Sequence, residues 1–151
     1  MAIKFYDVKP KNLRSEWENI LPLLTKVNAL EHYMTEEDWF EMAYTEKLDC
    51  KFWIAKDDDK TIGIVNTFIV ELPRGSMMIC ENPTGIRSRE WFDLGLTNLK
   101  LYAKIKRCKK IIGPINETLL PLWNMSKKHS RVGFQKEHGW KKAFEVFELE
   151  I

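Results

Sequence analysis

The sequence predicts an α+β fold, and three observations predict it. Leu13, Trp17, Ile20, Leu21 and Leu24 recur at three- and four-residue intervals, which draws one apolar helix face. Residues 61–70 form a run rich in β-branched side chains, the composition of a strand. Residues 143–151 alternate apolar side chains with glutamates, as a strand with one buried face does. At 151 residues the chain has the length of one domain, and 1–151 is expected to fold as a single unit.

Each element follows from its own residues. A short strand is expected over 3–8, then a helix over 12–27 that Pro22 should bend or divide. A second helix fits 35–46, where Thr35 can cap the first amides and Glu36, Glu37 and Asp38 favour the positive end. Strands over 51–55 and 61–70 flank the acidic residues Asp57, Asp58 and Asp59, which read as a hairpin turn because the other oxygen ligands of a calcium loop are missing. Pro73-Arg74-Gly75 gives another turn and 76–81 another strand. Residues 88–106 read as the longest helix, with Phe92, Leu96, Leu99 and Ala103 on one side. Gly95 inside it costs about 1 kcal/mol relative to alanine and calls for a close packing partner or a ligand. Strand 110–115, a shorter helix over 120–130 with Pro121 in its first turn, and strands beginning at Gly133 and at Ala143 complete the order.

Composition narrows the function classes. The hydrophobic fraction of 44% and charged fraction of 30% are those of a folded protein, and residues 61–70, the longest nearly uncharged run, are too few and too polar to span a bilayer. Met1-Ala2-Ile3-Lys4 lacks the apolar stretch of a signal peptide, so a cytoplasmic location is expected. Cys50, Cys80 and Cys108 are widely spaced and read as reduced thiols, and His32, His129 and His138 supply no metal-ligand grouping. The net charge of +2 does not imply a nucleic-acid partner. The basic blocks Lys104 to Lys110 and Lys127 to Arg131 are read first as solvated surface, then as attraction for phosphate or a cofactor, and last as a nucleic-acid site. The P-loop, G-x-S-x-G and H-E-x-x-H patterns are absent from the sequence.

The order of elements resembles the GNAT superfamily of acyl-coenzyme A-dependent N-acetyltransferases over nearly the whole chain. Four stretches carry the resemblance: the hairpin Phe52-Trp53-Ile54-Ala55-Lys56 to Lys60-Thr61-Ile62-Gly63-Ile64; the long helix before Lys109-Lys110-Ile111-Ile112-Gly113; Gly133-Phe134 before the last strand pair; and Phe144 to Leu149. The resemblance implies a three-layer α/β/α arrangement around a mixed, mostly antiparallel sheet. It also implies acyl transfer from acetyl-CoA or another acyl-CoA to an amine of a small molecule or a protein.

The same resemblance nominates the site residues. The superfamily's pyrophosphate loop, R/Q-x-x-G-x-G/A, is matched in part by Asn82-Pro83-Thr84-Gly85-Ile86-Arg87. Gly85 fits it, Asn82 stands at the opening position and Arg87 at the closing one. Arg87 and Arg89 are open to two roles, donors to phosphate or exposed charges beside a turn. Glu81 and Glu71 are the candidate bases. The position of the proton donor to the leaving thiolate, four residues before Gly133, is held by His129, where the superfamily has tyrosine. No metal is expected. The alternative is a catalytically inactive protein of the same fold that binds a protein assembly partner, motivated by the missing second glycine, the missing tyrosine and the many aromatic residues.

Overall fold

The β-branched run sits at the middle of the sheet, because its side chains on both faces have helices to pack against. In the computed structural model, residues 2–28 and 34–113 are described. They lie in one compact unit, Met1–Gly113; the second unit, Pro114–Ile151, lies outside the described residues, and so do the positions of the helix expected over 120–130, of the last expected strands and of His129.

Five strands, β1 (Ile3–Asp7), β2 (Lys51–Asp57), β3 (Lys60–Leu72), β4 (Gly75–Gly85) and β5 (Cys108–Ile112), lie side by side in chain order. The first three pairings are antiparallel and β4/β5 is parallel. The parallel step requires a crossover, and α3 (Ser88–Ile105) supplies it. Helix α3 covers one face of the sheet, where Phe5, Trp53, Val65, Met78, Trp91 and Leu99 form one core. Helices α1 (Pro10–Val27) and α2 (Glu36–Tyr44) cover the other with Leu13, Ile20, Leu24, Trp39, Phe52 and Ile64. The expected three-layer α+β arrangement is thus present.

Three details depart from the sequence reading. Pro22 does not divide α1, which is continuous through it. Its ring is on the exposed side, and a cost of about 3 kcal/mol is offset by burial of Leu13, Ile20 and Leu24 at about 1.5–3 kcal/mol each. Helix α2 is shorter than expected because the chain turns at Thr45 and Glu46, the latter at φ 55°. Its start is as expected: Thr35 accepts from the Asp38 amide, and the Asp38 carboxylate accepts from the Thr35 amide at 2.8 Å. Strand β4 runs on to Gly85, four residues past its expected end at Glu81.

That extension depends on a bulge. Asn66 of β3 pairs with Glu81 and Ile64 with Thr84, so two steps on β3 face three on β4. The extra residue falls at Asn82-Pro83. Asn82 takes φ 52°, a conformation asparagine tolerates, and Pro83 has no N–H to leave unpaired. Pairing then resumes and ends on Gly63 opposite Gly85.

Candidate functional site

The β4/β5 pairing stops early. It runs from Ser76 with Cys108 to Ile79 with Ile112, while β4 continues for six more residues. Beyond Ile79, the β5-facing edge of β4 has no partner strand among the described residues. Glu81 stands two residues past that point. Met78 and Cys80 point into the α3 core, so alternation turns Ile79 and Glu81 toward α1 and α2. Burial pushes the Glu81 carboxyl up to about 7, poised to exchange a proton near neutrality.

Two asparagines accompany it on that face. Asn66, directly opposite Glu81, has no exposed surface, and Asn82 Nδ2 donates to its Oδ1 at 2.7 Å. Asn66 Nδ2 is buried without a hydrogen-bond acceptor. The sequence reading marks residues 61–70 only as a run too polar to span a bilayer and does not nominate Asn66. The amide inside Ile64-Val65-Asn66-Thr67-Phe68 was the available signal.

The other nominated residues are spread out. Glu71 pairs with Ser76 near the β3/β4 turn, exposed, and five register steps from Asn66, or about 17 Å along the strand. The two candidate bases are therefore not brought together. His129 lies outside the described residues.

The expected loop is largely strand. Asn82 is buried against Asn66, and Gly85, at φ 148°, leaves no room for a side chain because a Cβ would overlap the carbonyl oxygen of Ile62. Opposite it, a Cβ on Gly63 would lie 2.6 Å from Cε2 of Trp91. Trp91 Nε1 donates to the Ile86 carbonyl at 3.0 Å, which seals the corner between β4 and α3. Gly95 likewise has a packing reason, since a Cβ there would meet the Phe5 ring at 3.1 Å.

Arg87 caps α3 from the left-handed region at φ 56°. Its guanidinium is held by Asp57 at 2.6 Å and by Glu90, with Nη2 donating to Oε1 at 2.9 Å. Those hydrogen bonds raise the Arg87 pKa above its already high value, Glu90 contributing most, and lower that of Glu90. Arg89 follows, exposed in the first turn of α3.

A separate cleft of about 350 Å³ opens at the opposite end of α3, between Asp7, Asp49, Lys51, Trp53, Tyr102 and Lys106. Its lysines are already paired, Lys51 with Asp7 at 3.2 Å and Lys106 with Asp49 at 3.3 Å. It contains none of the nominated residues. Among the described residues no cluster of histidine, cysteine and carboxylate ligands could hold a metal. Cys50, Cys80 and Cys108 are free, and burial raises the first two to about 12, so both stay neutral thiols. No helix among the described residues is long and apolar enough to cross a membrane.

The architecture matches known acetyltransferases. An aminoglycoside acetyltransferase from an uncultured soil metagenomic sample superposes with a TM-score of 0.73 at 10% identity, covering 100% of this chain and 99% of the other. Glucosamine-6-phosphate N-acetyltransferase from Arabidopsis thaliana gives 0.64 at 14% identity, with 99% of each chain covered. A predicted acetyltransferase from Clostridium acetobutylicum, solved with acetyl-CoA, gives 0.64 at 16% identity over 99% of this chain and 96% of that one. No family model matches the sequence, and comparison with curated proteins gives no match. The fold is that of the GNAT superfamily.

Proposed function

We propose that the protein is an N-acyltransferase that moves an acetyl group from acetyl-CoA to a primary amine by direct attack on the thioester. The observation that carries this reading is the end of β4/β5 pairing at Ile79, just before a carboxyl held near neutrality at Glu81. The β5-facing edge of β4 beyond Ile79, which has no partner strand among the described residues, offers backbone groups to an extended ligand arm. The N-terminus of α3, which no side chain at the N-cap closes, favours an anion such as a pyrophosphate, with Arg87 and Arg89 beside it. Acetyl-CoA supplies the acyl group already activated as a thioester.

In this mechanism Glu81 accepts a proton from the acceptor amine, whose nitrogen then forms the new C–N bond as the C–S bond breaks. The departing thiolate takes a proton, and His129 is the candidate donor. Glu71, exposed at the far end of β3, is left without a part in these steps. Calorimetric titration with acetyl-CoA, followed by release of free thiol on addition of amines, tests the reading. Absence of binding at millimolar acetyl-CoA would remove it.

A second reading, a non-catalytic binding protein of the same fold, is favoured by one observation: the side chains nominated for the cofactor are already engaged. Arg87 is held by Asp57 and Glu90, Asn82 by Asn66, and Gly85 serves the approach of β3. It predicts a stable complex with a protein partner that survives replacement of Glu81 and Arg87.

A further inference from the structure

We infer that Asn66 is the positioning residue of the Glu81 carboxylate: it pins the β4 bulge through its Oδ1, which accepts from Asn82, and keeps its Nδ2 donor for Glu81. Its catalytic meaning rests on the acyl-transfer reading, but the proposed hydrogen bond does not.

The geometry is specific. Asn66 and Glu81 are directly opposed across β3 and β4, a relation that sets Cβ atoms about 4.5–5.5 Å apart, within reach of an amide and a longer carboxylate. Asn66 Oδ1 is taken by Asn82 Nδ2 at 2.7 Å, which orients the amide and leaves Nδ2 without an acceptor. An orphaned buried donor is costly, so a partner that turns toward it is favoured. Glu81 is the residue directly opposed to it, and Glu71, the other acid of this strand pair, stands five register steps away.

Nothing else charged competes for the carboxylate among the described residues. The side chains that α1 and α2 turn to the sheet, Leu13, Trp17, Ile20, Leu24, Trp39 and Phe40, carry no charge. The ion pair on that face, Glu16 with Lys56, is closed on itself at 2.9 Å. Cys80, on the opposite face, is neutral. Desolvation by burial is what raises the Glu81 carboxyl. A donor that meets the ionised form therefore opposes that shift, and its removal lets the pKa climb further.

The test is the titration of Glu81 by carboxyl carbon NMR in the full chain, in the wild type and in Asn66→Leu. The expected result is an upward move of the midpoint by about one pH unit or more, the effect of losing one hydrogen bond to a charged group. Asn66→Asp serves if the leucine variant does not fold. It retains an acceptor for Asn82 but replaces the donor with an acid, so the upper midpoint of the coupled pair rises as well. A folded variant of either kind with an unchanged Glu81 midpoint overturns the inference. If wild-type protein proves inactive with acetyl-CoA yet the midpoint still moves, the positioning stands and the acyl-transfer reading alone falls. If the protein is active, Asn66→Leu should lower kcat while leaving KM for acetyl-CoA in place and should displace the pH profile with the midpoint.

Discussion

The indole of Trp91 occupies the space that a side chain at Gly63 would fill: a Cβ there would lie 2.6 Å from Cε2 of Trp91. Gly63, within the hairpin that carries the family resemblance, is thus a seat for the helix that follows β4. Gly63→Ala should displace the indole and destabilise the protein by about 1–3 kcal/mol, the usual cost of overpacking. Gly85→Ala should cost more, because it meets the Ile62 backbone rather than a movable ring and must hold φ 148°. Urea unfolding of both variants, followed by tryptophan fluorescence, checks the order; Gly85→Ala as stable as wild type would contradict it.

Glu81 makes stability depend on pH in a defined direction. Its carboxyl is raised from 4.5 to about 7 by burial, so the native chain holds a proton that the unfolded chain releases between those values. Native stability therefore falls as pH rises through this window, and the loss is complete above it, at roughly 3 kcal/mol. Glu81→Gln should be more stable than wild type near pH 8 by roughly this amount and equal to it near pH 4. In an active enzyme the same substitution should reduce kcat roughly 10²- to 10⁴-fold, and the rise of the wild-type rate through neutral pH should disappear.

Arg87 is expected to bind phosphate only after leaving Asp57 and Glu90. Asp57→Asn should weaken that hold and remove a negative charge near the start of α3, so acetyl-CoA affinity should rise. Arg87→Ala should lower affinity about tenfold, as the loss of one charge-assisted hydrogen bond does. Titration calorimetry of both variants decides the matter. Unchanged dissociation constants in both would place the pyrophosphate away from this corner.

Asn28 holds both sides of the connection between α1 and α2. Its Nδ2 donates to the Met34 carbonyl at 2.7 Å, and its Oδ1 accepts from Trp39 Nε1 at 3.2 Å. Asn28→Ala leaves a buried indole N–H unpaired and should cost about 1–3 kcal/mol. Hydrogen exchange at the indole of Trp39, slow in wild type, should accelerate in the variant; equal rates would mean that the contact does not persist in solution.

Much of the sheet could be read along the chain because its signals are local. The Asp58-Asp59 hairpin, the Thr35 cap and the apolar stripe of α3 each depend on residues a few positions apart, and each is found where its pattern lies. Glu81 could be nominated for a similar reason: a carboxylate at the end of an apolar strand is conspicuous, and the superfamily resemblance gave it a role to propose. The resemblance also led to Asn82 and Gly85 as loop residues, where local pattern and tertiary structure part.

Within the described residues, the sequence by itself determined the order of helices and strands and which of their faces are apolar, since periodicity and turn chemistry act over short range. Only the tertiary structure decided what Gly85, Asn82 and Asn66 do. A glycine in sequence carries the same mark whether it makes room for a cofactor, a tryptophan or a neighbouring strand. Which of these it meets depends on residues more than twenty positions away, Ile62 in the case of Gly85. The Asn66–Asn82 bond is likewise invisible along the chain, because a one-residue bulge in β4 sets the register that brings the two amides together and places Glu81 opposite Asn66.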